Sequence, residues 1–477
     1  MLLITACVFA QAVLLNSAEA SGDERIRYEF KILLLKEEQA ASIHQKVTYK
    51  NQTEQPLSRL MFSLYPNVFR REATLPYDNA SLEQAFPYGY APGGIEFQNI
   101  TANGNPVRWG VQGDNETFLR VEVSLLPDEA CVIEFDYTLL LTQNRAFLGV
   151  SDTDFRLTAF YPSLCPFENG DFITNPITRV GEYLYHDPAD FYAEVYTPAN
   201  YEIAAGGKWS LLGSEGGLRH YTGTLVNARE FAMVVSRKFH LSEDTSASGM
   251  RVGVYGQNRG IINDILDRAV QTLDHAEAMI GKLPRGELII ALCDMQNDSV
   301  NASGLILIGN ECAEADVAAL VLKQYFADVC MPNPAEEAWM TEAIPKYMSL
   351  LMMEDTQGEA AFKKALNDTV LSSLTITLPS SLMPHVRTMY FATVSEYETV
   401  VVERGCAVMH ELRLAMGRDK LIESISVYYE ACAGLNPTAE DLISAMNRAA
   451  GGEWRSAVYS WLNSIGDYAG EFLDVYE

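Results

Sequence analysis

The hydrophobic period of this chain changes once along its length, and that change limits the fold more than any other feature. From Arg25 to about Phe239 apolar residues alternate. Tyr28, Phe30, Ile32 and Leu34 share one face of a run. So do Leu119, Val121 and Val123, and so do Ile133, Phe135, Tyr137, Leu139 and Leu141. A period of two is what a strand half-buried on a core requires. Asn103-Gly104-Asn105 and Gly206-Gly207 punctuate the runs as turns. After Met250 the period lengthens. Ile262, Ile265, Leu266, Ala269, Val270, Leu273 and Ile280 recur at helical spacing, and Gly281 stands where a helix would be capped. Glu287 to Leu292 reads as a short buried strand, and from Asp316 onward nearly everything reads as helix. The expectation is an α+β chain, with an N-terminal antiparallel β-sheet domain over 21–245 and a mainly helical domain over 246–477.

Composition adds exclusions. The 477 residues carry 35 Lys plus Arg against 63 Asp plus Glu, a formal charge of −28. Such a balance argues against nucleic acid and against anionic lipid as partners, because phosphate binding needs clustered positive charge. Met1 to Leu15 is apolar and uncharged, and Ala18-Glu19-Ala20 before Ser21 is a small-x-small pattern. Residues 1–20 therefore read as a signal peptide, and the mature chain as secreted or extracytoplasmic. No later run reaches the roughly 20 apolar residues that a membrane-spanning helix needs. Eight scattered Cys without a C-x-x-C pair read mostly as buried thiols, with one or two unassignable bridges left open.

Two neighbouring segments are where chemistry is expected. Asp316 to Cys330, DVAALVLKQYFADVC, is apolar nearly all round, as a buried helix is. Lys323 is its only cation, and a buried ammonium is costly unless paired. Asn333-Pro334 reads as the start of a second helix, which carries Glu342 and contains Pro345.

KQYFADVC followed by EEAWMTEAIPKYMSLLM resembles the active-site region of the gluzincin zinc aminopeptidases, the membrane alanyl aminopeptidase family. That family carries His-Glu-x-x-His, eighteen residues, then Glu. The two His and the last Glu hold zinc, and the first Glu is the general base. Laid on this chain, the pattern puts the third ligand at Glu342, the two His positions at Ala319 and Lys323, and the base at Leu320. Asn297 to Ile308 is similar to the family's substrate strand, with Asn301 and Gly304 as substrate-binding positions. Thr399 to Leu412 resembles the helix bearing a transition-state Tyr, whose place here is Val402, three residues before Gly405. The resemblance implies a saddle-shaped β domain followed by a thermolysin-like peptidase domain.

It also implies a degenerate site. Ala319 cannot coordinate, a protonated Lys323 has no lone pair, Leu320 cannot deprotonate water, and Val402 has no hydroxyl. The expectation is a peptidase-like pseudoenzyme with no cofactor, the family's zinc having been lost. It would retain Glu342 alone, with Lys323 beside it neutralising its charge. Its partner would be an extended peptide or protein, added to an edge strand near Gly304 to Ile308. The alternative is an active metallopeptidase with an atypical metal site, for instance from Cys312, Glu314 and Asp316.

Overall fold

The computed structural model describes residues 25–464, apart from 78, 183, 297–298, 311–315 and 375. The segment read as a signal peptide, 1–20, lies outside the described residues, as do Cys312 and Glu314. Among the described residues no helix is long and apolar enough to cross a membrane.

Where the sequence alternates, strands form, and their alternate residues are buried. Ile26–Leu35 and Ala130–Leu140 both show this pattern along almost their whole length. They belong to an eight-stranded sheet. Its order is Lys208–Glu215, Leu218–Ala228, Ala189–Pro198, Ile26–Leu35, Ala40–Lys50, Ala130–Leu140, Gly94–Ala102, Asn105–Pro106. The sheet is not wholly antiparallel, as the alternation alone had suggested. Ile26–Leu35 runs parallel to Ala189–Pro198, with Ile26 opposite Ala189. Partners so distant in sequence are joined by no hairpin that would fix their direction. Two four-stranded sheets pack against this one. The core between them is rich in aromatic rings: Tyr28 stacks on Phe191, and Phe30 meets Tyr161 edge-on.

A five-stranded mixed sheet begins the later half, in the order His240–Thr245, Arg251–Gly256, Glu287–Cys293, Leu305–Gly309, Ser299–Ala302. Its first two strands form a hairpin around the expected boundary at 245/246, so sheet membership puts both with the later half. His240–Thr245 is mostly exposed and carries no apolar alternation that would have shown this. A second difference concerns the edge. Leu305–Gly309 is bonded on both sides and all five of its residues are buried. Among the described residues the edge strand on this side is Ser299–Ala302, not the stretch from Gly304 to Ile308.

Helix Arg259–Met279 starts at Asn258, whose side chain accepts from the Gly260 and Ile261 amides. Its buried face, Ile262, Ile265, Ala269 and Leu273, shares one core with Val252, Val254 and Ile290 of the sheet. The first motif helix is Val317–Gln324, capped by the Asp316 side chain on the Ala319 amide, and it runs into a π-helical turn, Tyr325–Val329. The second is Ala338–Gln357, with Pro345 inside it. It starts later than Asn333-Pro334 had implied, because Asn333 caps a separate turn by accepting from the Ala335 amide. A second π-helical stretch, Glu398–Arg404, leads into Gly405–Met416. Cys131, Cys165, Cys293, Cys330, Cys406 and Cys432 are free and buried.

Candidate functional site

A cleft of about 370 Å³ lies where the loop before Ala189–Pro198, the edge strand Ser299–Ala302, the two motif helices and the second π-helical stretch meet. Lys323, Glu342, Asn301 and Val402 all line it. Ala319 and Leu320 do not. Ala319 sits in the capped first turn of its helix, and Leu320 is buried in the helical core. Gly304 is also absent from the lining. Its amide donates to Gln324, its φ is +70°, and it packs against Gly206, where a side chain would find no room. Asn301 is engaged by its own chain, donating to the Leu320 carbonyl and accepting from the Gln324 amide.

The centre of the cleft is an ion pair. Lys323 Nζ lies 2.8 Å from Glu342 Oε1 and 2.7 Å from Oε2. The two helices deliver them, Lys323 from the last turn of Val317–Gln324 and Glu342 from the second turn of Ala338–Gln357. Burial alone would lower the Lys323 ammonium. Glu342 and Glu182 beside it outweigh burial and hold it above its ordinary value, so it stays protonated.

The loop before Ala189–Pro198 brings in a residue that the sequence reading missed. Glu182 Oε1 stands 3.9 Å from Lys323 Nζ. Burial pushes its carboxyl up, Lys323 pulls it down and Glu342 adds to the rise. Nothing in the sequence around Glu182 marks it, since a loop has no period.

Two more titratable groups belong to the lining. Tyr397 is buried, and burial, with Glu342 and Glu182 nearby, raises its phenol well above the usual range, so it remains a donor. It stands five residues before Val402. In a π turn residues five apart come to one side, whereas the helical period of 3.6 separates them. Glu230 accepts from the Ala159 amide at 2.7 Å. Burial pushes its carboxyl up to about 8, against the pull of that amide and helped by Glu182 and Asp328.

The donor set can be tested against the metal that the motif resemblance implies. A zinc site needs three lone-pair donors from the protein. At the three positions stand a methyl group, an ammonium and a carboxylate whose two oxygens both face that ammonium. These residues do not fit the group. Among the described residues no cluster of three or more His, Cys, Asp or Glu side chains is placed to hold a metal ion. Asp316, of the alternative set, spends its carboxylate on the Ala319 amide and on Lys346.

No family model matches the chain. In sequence it is 21% identical over 265 residues to human endoplasmic reticulum aminopeptidase 2. That match covers 49% of this chain and 27% of the length of the relative. In fold it is similar to an M1 zinc metallopeptidase from Deinococcus radiodurans, with a TM-score of 0.66 and 16% identity over 92% of this chain and 94% of the other. A mutant of that metallopeptidase bound to a Tyr-Ser-Ala substrate gives a TM-score of 0.65 at 18% identity, with the same coverage. The mixed α+β architecture is that of the two-domain M1 metallopeptidases. The chain thus has the fold of the M1 zinc metallopeptidases, and half of it is similar in sequence to an aminopeptidase of which it spans about a quarter.

Proposed function

We propose that this chain is a non-catalytic relative of the gluzincin aminopeptidases that binds peptide or an extended segment of a protein. On this reading the N-terminal β half corresponds to the family's saddle domain and the later half to its thermolysin-like domain. The observation that carries the proposal is the Lys323–Glu342 ion pair on the floor of an open cleft. The carboxylate at the family's third-ligand position, Glu342, is already paired with Lys323, and the general base and phenol positions, Leu320 and Val402, are aliphatic. Losses at binding, proton transfer and oxyanion stabilisation hit separate steps, so no single change restores the chemistry. The cleft itself persists, and the strand Ser299–Ala302 offers an edge along its wall. An extended chain can pair with such an edge through its backbone. That the Deinococcus protein binds a tripeptide supports peptide as the ligand class.

The test is direct. Purified chain is expected to carry well under one zinc per molecule by elemental analysis. It is expected to leave aminoacyl fluorogenic substrates unhydrolysed at any added zinc concentration. Native mass spectrometry after mild purification is expected to show bound peptide. Chelator-sensitive hydrolysis would defeat the non-catalytic reading and return the atypical metal site to the front.

A further inference from the structure

Buried polar groups in folded proteins almost always have partners, so an unpartnered donor in a cleft asks for a ligand. A lysine ammonium has three N–H bonds. Lys323 donates to Glu342 Oε1 at 2.8 Å, with Oε2 of the same carboxylate 2.7 Å away. Its remaining N–H bonds have no other acceptor in reach among the described residues, because Glu182 Oε1 at 3.9 Å is beyond hydrogen-bond distance. Tyr397 is only 6% exposed, lines the same cleft, and its hydroxyl has no hydrogen-bond partner among the described residues. The chain preserves space for that phenol. Gly181, at φ +71°, lies directly against it, and a Cβ there would stand 2.9 Å from Tyr397 Cε2 and 3.1 Å from Cζ. Glu230 lines the same cleft, and burial pushes its carboxyl up to about 8.

We propose that Lys323 and Tyr397 form a two-donor site for an uncharged carbonyl oxygen, of the kind a backbone amide presents. A carboxylate fits less well. It would enter beside Glu182 and Glu342, which already supply more negative charge than Lys323 neutralises. An amide carbonyl satisfies both free donors and adds no charge. It also leaves the amide N–H of the same ligand to the carboxylate of Glu182. The site deepens the peptide-binding reading and rests on it for the source of the carbonyl.

The experiment uses a small probe, so that its outcome is separate from whether peptides bind. The full chain is labelled in its tyrosine rings, and the Tyr397 signal is assigned by its loss in Tyr397→Phe. N-methylacetamide is titrated in, with acetate as the comparison. The Tyr397 signal is expected to shift saturably with the amide. The variant Lys323→Met with Glu342→Gln removes both members of the central ion pair together, and it should weaken the binding about tenfold, as expected for loss of a charged hydrogen bond. Absence of a saturable shift overturns the proposal. So does a double variant that binds as wild type does, and so does acetate binding as tightly as the amide. Retention of the amide response in a chain that binds no peptide would sink the peptide reading and leave the donor pair standing.

Discussion

Lys323 and Asp328 stand one π turn apart, and the polar clusters built around them differ in kind. Around Asp328 the charged groups are bonded to one another and to backbone carbonyls. Arg229 donates to the carbonyls of His186, Asp328, Val329 and Leu435 and to the Asn436 side chain. Asp328 in turn accepts from Arg285 and Ser303, and Ser303 Oγ accepts from the Arg229 amide at 2.8 Å. This closed network joins the end of strand Leu218–Ala228 to the helical half. Around Lys323 the count does not close. The Lys323 ammonium, the Tyr397 phenol and the partly exposed Glu182 carboxylate face a cleft. The difference teaches where to look for function in this molecule. A saturated network holds the two halves together, and the unsaturated one beside it is free to meet a ligand.

The comparison breaks first at Arg229. Arg229→Met removes a side chain that is 4% exposed and strands its four carbonyl acceptors at the junction. The expected loss is about 4 kcal/mol of unfolding free energy, measured by urea or guanidinium titration. A loss under about 1 kcal/mol would mean that the network is not what joins the halves. The cleft cluster should respond less, because cleft water can reach its members. Lys323→Ala is expected to cost about 3 kcal/mol by stranding Glu342, whose side chain is 12% exposed. Lys323→Met combined with Glu342→Gln should recover most of that loss. A double-mutant cycle whose changes simply add would show that the two side chains do not depend on each other.

Much of this arrangement was legible in the sequence, and the omissions share a cause. Period fixed the strands at Tyr28 to Leu34 and the helix from Ile262 to Ile280, because burial on one face leaves a repeating trace. The juxtaposition of Lys323 and Glu342 was legible as well, since both sit on helices whose spacing the motif resemblance supplied. Glu182 was not, because it reaches the cleft from a loop with no period. Tyr397 was hidden by the π turn: at 3.6 residues per turn it points away from Val402. The edge strand was misplaced for a different reason. Leu305–Gly309 and Ser299–Ala302 form one hairpin, and which arm lies outermost depends on Glu287–Cys293 pairing with the second arm. A long-range pairing of that kind leaves no local mark. The same holds for the parallel match of Ile26 with Ala189.

Glu230 connects the two clusters, and its titration sharpens the contrast between them. Its amide donates to Ser303 in the closed network, and its carboxyl lines the open cleft. In the folded chain that carboxyl is pushed up to about 8, against about 4.3 for an unperturbed glutamate. Between these values the folded chain holds a proton that the unfolded chain has released, so stability falls as pH rises through the window and levels off above it. His186 and His410, each pushed down to about 4 by burial, act in the opposite sense below their ordinary value of about 6.5. The clean interval is therefore about pH 6.5 to 8, over which Glu230 contributes a loss of about 2 kcal/mol. Glu230→Gln keeps a carbonyl oxygen for the Ala159 amide and removes the titration. Its unfolding free energy should hold about 2 kcal/mol steadier than wild type across that interval, measured by denaturant titration at each pH. Glu182 and Asp187, whose carboxyls burial also raises, slope the same way in both proteins, so the difference isolates Glu230. Equal slopes in variant and wild type would mean that the carboxyl is already ionised at neutral pH. The cleft would then carry one more negative charge, and its preference would turn from a neutral carbonyl toward a cation.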